Sequence, residues 1–98
     1  MSIKNGTYVI VRGTDSGVFF GKLEERDGRE VFLRECRRLW YWEGAASISQ
    51  IAVDGTVKPE NCKFTMVVDS ILLLDAIEVI PCTEKAVTKI KAVPEWKM

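Results

Sequence analysis

The chain contains no histidine. That removes the commonest general base, the usual activator of a serine or cysteine nucleophile, and the commonest metal ligand. Net charge is missing too, since 14 basic residues meet 14 acidic ones. Without a global field, binding to nucleic acid needs a local basic patch, and self-association meets little like-charge repulsion. Cysteine is scarce. Cys36, Cys62 and Cys82 are odd in number, far apart and form no C-x-x-C pair, which argues against a disulfide framework or a zinc knuckle and for reduced thiols packed as small apolar groups. Long apolar runs are absent. The longest, residues 71–74, is followed at once by Asp75 and falls far short of the ~20 residues a membrane helix needs. Nor does the start Met1-Ser2-Ile3-Lys4 lead into the apolar region of a secretory leader. Internal repeats and low-complexity stretches are lacking as well. These absences predict a soluble, cytoplasmic, non-enzymatic protein with no membrane contact, no metal and no cofactor.

What is present is an ordinary globular composition in 98 residues. That is enough for one modest core and too little for two, so residues 1–98 form a single domain. Residues 7–12 (Thr-Tyr-Val-Ile-Val-Arg) and 18–26 read as strands separated by the turn cluster Gly13-Thr14-Asp15-Ser16-Gly17. Asp27-Gly28 predicts a type I′ hairpin into a third strand over 29–38, completing an antiparallel meander. The small-residue stretch 44–53 predicts a short helix stopped by Asp54-Gly55. Residues 62–68, 71–74 and 76–80 predict further strands, with a bend at Asp75. Thr83 is the expected N-cap of a helix running to Ala92, with Glu84 at its favourable end and Lys89 and Lys91 at the other. The fold expected is α+β: a small curved antiparallel sheet or incomplete β-barrel of five to six strands with two short helices. Three tryptophans in so small a chain, with a small core and no net charge, point to a homo-oligomer.

The segment Arg34-Glu35-Cys36-Arg37-Arg38-Leu39-Trp40-Tyr41-Trp42 concentrates the recognition chemistry. Guanidinium forks grip anions, and indole faces stack on flat rings or anchor protein interfaces. On a regular strand, Arg34, Cys36, Arg38, Trp40 and Trp42 share one face, and Arg37, Leu39 and Tyr41 take the other. The candidate ligand-binding residues are Arg34, Arg37, Arg38, Trp40, Trp42 and Ser47. Ser47 offers a hydroxyl at the opening of the following helix, whose N–H groups would face an anion. The competing reading makes the tryptophans core or interface residues and pairs the arginines with Glu35, Glu43 or Asp69. The Gly44–Ser49 stretch lacks the spacing of a P-loop. The 13–17 cluster sits inside a hairpin, where an ordinary turn is the plain reading. Cys36 has no histidine to activate it.

The run from Arg37 to Gln50, the later Asn61-Cys62-Lys63-Phe64, the stretch Ala76-Ile77-Glu78-Val79-Ile80 and the closing Pro94-Glu95-Trp96 resemble an uncharacterised family of small proteins encoded by tailed phages and prophages, with Arg-Arg-Leu-Trp-Tyr-Trp at its core. The resemblance implies a setting in the host cytoplasm and brings no site residues with it. It frames three expectations: sequestration of a small anionic ligand such as a nucleotide immune signal, docking on a host or phage protein through the same aromatics, or, disfavoured by the neutral charge, binding of single-stranded nucleic acid.

Overall fold

The computed structural model describes residues 3–98, so the Met1-Ser2 start lies outside the described residues. Three consecutive strands form the expected meander: β1 (Tyr8–Gly13), β2 (Val18–Asp27) and β3 (Glu30–Tyr41), each antiparallel to the next. The β2–β3 turn sits one position later than expected. Asp27 pairs with Glu30, so Gly28 and Arg29 are central. Only Gly28 has positive φ, at 60°, which fits a type II′ turn and not the I′ turn that needs positive φ at both positions.

After β3 come α1 (Ile48–Asp54), a single 3₁₀ turn at Pro59–Asn61, β4 (Lys63–Thr65), β5 (Val68–Leu73), β6 (Ala76–Pro81), α2 (Glu84–Ala92) and β7 (Glu95–Trp96). The sheet is open and holds seven strands, slightly more than expected, with two helices: a small α+β fold. The excess is β7, in which the chain returns to pair parallel with β4. The break expected between the 62–68 and 71–74 strands falls earlier, at Met66-Val67, so β4 is shorter and β5 longer than expected, and both pair with β3 at different heights. The first helix is shorter than the 44–53 expectation and starts only after Ser47. The second matches, with the Thr83 hydroxyl accepting from Ala86 N at 3.1 Å.

Strands β5 and β6 follow one another through Leu74-Asp75 but do not pair with each other. β5 pairs with β3, and β6 with β1, so the two-residue link joins opposite edges of a five-strand layer, β6-β1-β2-β3-β5. The sheet must curl for those edges to meet. Asp75 locks the corner: its Oδ2 accepts from Asp15 N at 2.7 Å and Ser16 N at 2.9 Å, and its Oδ1 accepts from the Ser16 hydroxyl at 2.6 Å. These bonds hold its carboxyl below the usual range, the Ser16 bond most of all. The 13–17 cluster is therefore a hairpin loop whose amides at 13–16 are satisfied from inside the chain.

Curling gives two apolar clusters, one on each side of the sheet. Val9, Val11, Phe19, Leu23, Val31, Leu33, Cys36, Leu73 and Ala76 fill the concave side. Ile10, Phe20, Leu39 and Phe64 meet α1 and α2 through Ile51, Ala52, Ala86 and Ile90. The alternation of β1, with Ile10 to one side and Val9 and Val11 to the other, is the period-2 pattern of a strand buried on both faces.

Candidate functional site

Everything at the arginine–tryptophan run follows from a bulge in β3. Between the pairs Phe20↔Arg37 and Lys22↔Arg34, β3 carries one residue more than β2. Glu35 adopts φ 50°, the one non-glycine residue with positive φ among those described. Gly21 faces this spot, and a Cβ there would press on the Arg34 carbonyl at 3.1 Å and on Cys36 Cα at 3.2 Å. A second irregularity falls between Leu39 and Tyr41. Each extra residue reverses the alternation. The single face expected to carry Arg34, Arg38, Trp40 and Trp42 therefore does not exist.

Arg34 lies over the Phe32 ring, 4.9 Å from its centroid, and reaches Glu24 and Asp69, both at 3.3 Å. It is a half-exposed arginine with two carboxylate partners. Of the pairings considered for the arginines, Asp69 is taken by Arg34 and not by Arg37 or Arg38.

Arg37 is 2% exposed and sits on the helix side. Its Nε donates to Thr65 O at 2.9 Å, Nη1 to Ile90 O at 3.1 Å and Val93 O at 3.0 Å, and Nη2 to Phe64 O at 3.0 Å and Pro94 O at 3.3 Å. A guanidinium has five N–H donors, and all five end on main-chain oxygens. Its plane also lies over the Phe64 ring. Burial pushes its pKa down, with Glu95 opposing, though a guanidinium keeps its charge regardless. The carbonyls at the end of α2 carry the negative pole of that helix, and Ile90 O, which takes the Val93 N–H, accepts Arg37 as a second donor, so a cation fits there. Arg37 fastens the chain's last segment to β3 and has no donor left for a ligand.

Arg38 turns to the concave side. Its guanidinium covers the Phe19 ring at 4.5 Å, and Nη1 donates to Ser16 O at 2.7 Å. It thereby braces the same hairpin loop that Asp75 holds. Trp42 is half-buried against the helix-side cluster. Ser47 is consumed as the N-cap of α1, accepting from Gln50 N at 3.2 Å, while Gln50 Oε1 accepts from Ala46 N at 2.7 Å. Of the opening amides of this seven-residue helix, those of Gln50 and Ile51 are thus engaged on Ser47.

Trp40 presents most of its surface, 62%, to solvent. It stacks on Trp96, itself 46% exposed, with centroids 6.2 Å apart and planes 17° from parallel. Lys63 holds its ammonium 5.5 Å from the Trp96 ring and 5.8 Å from the Tyr41 ring. Tyr41 donates to Glu43 Oε2 at 2.7 Å, and Asn61 Nδ2 donates to Glu43 Oε1 at 3.1 Å. The tyrosine hydroxyl's pKa is raised and the Glu43 carboxyl's lowered, each chiefly by their shared bond. Glu95 Oε2 accepts from Val67 N at 3.0 Å, which pins the strand bearing Trp96. The sequence did not join Trp96, Tyr41 or Lys63 to the site. No local pattern links β3 to β7; only the topology does.

Two concave spaces lie elsewhere. A 460 Å³ hollow at the mouth of the curled sheet is lined by Leu23, Glu25, Arg26, Val31 and Glu78 among others. A 190 Å³ one lies over Phe20 between Glu35, Arg37, Val67 and Lys91. Neither includes Trp40 or Trp96. Among the described residues, no cluster of three or more metal-ligating side chains occurs, and no helix is long and apolar enough to cross a membrane. Burial pushes the thiols of Cys36 and Cys82 up to about 12, so neither is a thiolate at neutral pH.

The geometry defines a small α+β domain that presents a stacked, exposed indole pair on a well-braced frame. The chain belongs to the DUF6948 family, a domain of unknown function whose model matches residues 6–90. No curated protein and no solved structure matches it.

Proposed function

We propose that the protein acts by binding and not by catalysis, and that it docks on another protein through the face built from Trp40, Trp96, Tyr41 and Lys63. The observation that carries this reading is the exposure of two stacked indoles whose backbone is held on both sides, by β4 and by the Arg37 clamp. Large apolar side chains left in water on a rigid support are the anchors that dominate protein interfaces, with tryptophan foremost. The resemblance to phage-encoded proteins supplies the setting for the proposal: an accessory protein in the host cytoplasm whose partner is a host or phage protein.

Sequestration of a nucleotide has less support. Small-molecule sites are concave, with a few convergent polar groups. Here the arginines that would grip phosphate diverge: Arg34 toward Glu24 and Asp69, Arg37 into the interior, Arg38 toward Ser16.

The test begins with crosslinking in infected cells to identify the partner and continues with calorimetry on purified components. Trp40→Ala and Trp96→Ala should each weaken binding by about 2 kcal/mol or more, roughly thirty-fold in Kd, while Arg34→Ala leaves it unchanged. Equal affinity of the tryptophan variants and the wild type would sink the reading. A nucleotide that raises Tm in a thermal-shift screen would restore sequestration in its place.

A further inference from the structure

Strand β5 offers a second surface, independent of the tryptophans. It pairs with β3 through Val31↔Leu73, Phe32↔Leu72, Leu33↔Ile71, Arg34↔Ser70 and Cys36↔Val68. Among the described residues its other edge has no backbone partner, so a row of main-chain N–H and C=O groups lies open. Natural edge strands are blunted by charged side chains, lysine above all, by proline, by bulges or by extreme shortness. The run Val68-Asp69-Ser70-Ile71-Leu72-Leu73-Leu74 carries one charge, Asp69, and no lysine or proline. Leu72 and Leu74 stand 54% and 66% exposed. Each edge strand has one ion-paired carboxylate, Asp69 on β5 and Glu78 on β6, and what β6 has besides is Pro81 at its end.

We infer that the β5 edge is the pairing surface for a second copy of this chain, joined antiparallel across a two-fold axis passing beside Ile71. A two-fold axis perpendicular to the sheet keeps equivalent faces on the same side, so only residues of the same face can stand opposite one another. An axis at Ile71 sets Ser70 opposite the partner's Leu72, which covers that exposed leucine, and brings Val68 to the end of the partner's β5, beside Leu74 in the link that follows. It sets Asp69 opposite the partner's Leu73, so the strand's one charge never meets its copy. Asp69 is also held by Arg34 within its own chain. The strand is thus compatible with itself in charge and in apolar pattern, and the neutral chain adds little long-range repulsion. The tryptophan face uses the other end of β3, the 39–41 segment paired with β4, so the two surfaces do not compete.

Light scattering coupled to size exclusion over a concentration series tests this on the full chain. Wild type should show twice the 11.1 kDa chain mass, and Leu72→Lys with Leu74→Lys should halve it without changing the far-ultraviolet circular dichroism. Both substitutions fall on exposed side chains, so the fold stands. Trp40→Ala should remain a dimer, which separates this inference from the tryptophan docking reading. A wild type of single-chain mass at every concentration would overturn the inference. So would a dimer that survives the lysines, or one that dissolves in Trp40→Ala instead.

Discussion

The Ser16 hydroxyl donates to Oδ1 of Asp75 at 2.6 Å, tying the β1–β2 loop to the corner where the two edges of the sheet meet. With the amides of Asp15 and Ser16 on its other oxygen, this carboxylate is stabilised in its charged form, and its folded pKa lies below the ordinary 3.8. In the acid range the unfolded chain therefore binds more protons than the folded one, and stability rises with pH there. The contribution is complete above the unfolded value. It is lost as pH falls from about 3.8 through the lower folded value. Asp75→Asn should have a lower Tm than wild type at neutral pH, with the gap closing as the solution is acidified below that window. Glu35, Glu43 and Glu95 are also lowered, so the wild type keeps acid sensitivity of its own. The quantity to measure is the difference between the two melting curves across pH. A gap that stays constant in acid would show that Asp75 does not act through its charge.

Arg37 is expected to tolerate no replacement. Lysine carries three donors on one nitrogen and cannot span five carbonyls spread from Phe64 to Pro94. Both Arg37→Lys and Arg37→Met leave buried acceptors without partners, at about 3 kcal/mol or more in total. Urea denaturation measures this directly. Since the same carbonyls position β7, both variants should also shift tryptophan emission as Trp96 loosens from Trp40.

Deleting Glu35 should be tolerated. Without it β3 carries one residue between Arg34 and Arg37, as β2 carries Gly21 between Lys22 and Phe20, so Cys36 and Arg37 keep the sides they occupy and the positive φ at 35 is removed. The deletion variant should melt cooperatively in a thermal scan, and loss of that transition would show that the bulge itself is needed. Glu35→Gly keeps the residue count and accepts φ 50° without strain. It gives up only exposed contacts to Lys22 and Tyr8, and should fold with stability within about 1 kcal/mol of wild type.

These residues also mark where the sequence stops being legible. The meander was readable because residues 7–12 and 18–23 alternate cleanly or pack on both faces, and α2 because Thr83, Glu84 and Lys91 are where a capped helix wants them. The stretch Arg34-Glu35-Cys36-Arg37-Arg38 offers no apolar alternation against which to set a phase, so its bulge is silent. Only Gly21, on the neighbouring strand, hints at a close approach. The burial of Arg37 is silent for another reason: its partners are main-chain oxygens, which every residue possesses. Had they been carboxylates, the sequence would have offered candidates. The candidate site was half legible. Trp40 was singled out, but its companion Trp96 joins it only through the parallel pairing of β4 and β7.

The Arg37 clamp has a consequence for the order of events during synthesis. Every acceptor it uses lies later in the chain, at residues 64, 65, 90, 93 and 94. When the β2–β3 hairpin emerges, its guanidinium is hydrated and sits on the face that will become interior. A half-made sheet with a bare apolar face is prone to stick to its neighbours. This one carries a solubilising cation in the middle of that face until α2 arrives to take it up. The same side chain keeps the unfinished molecule dispersed and then fastens the finished one.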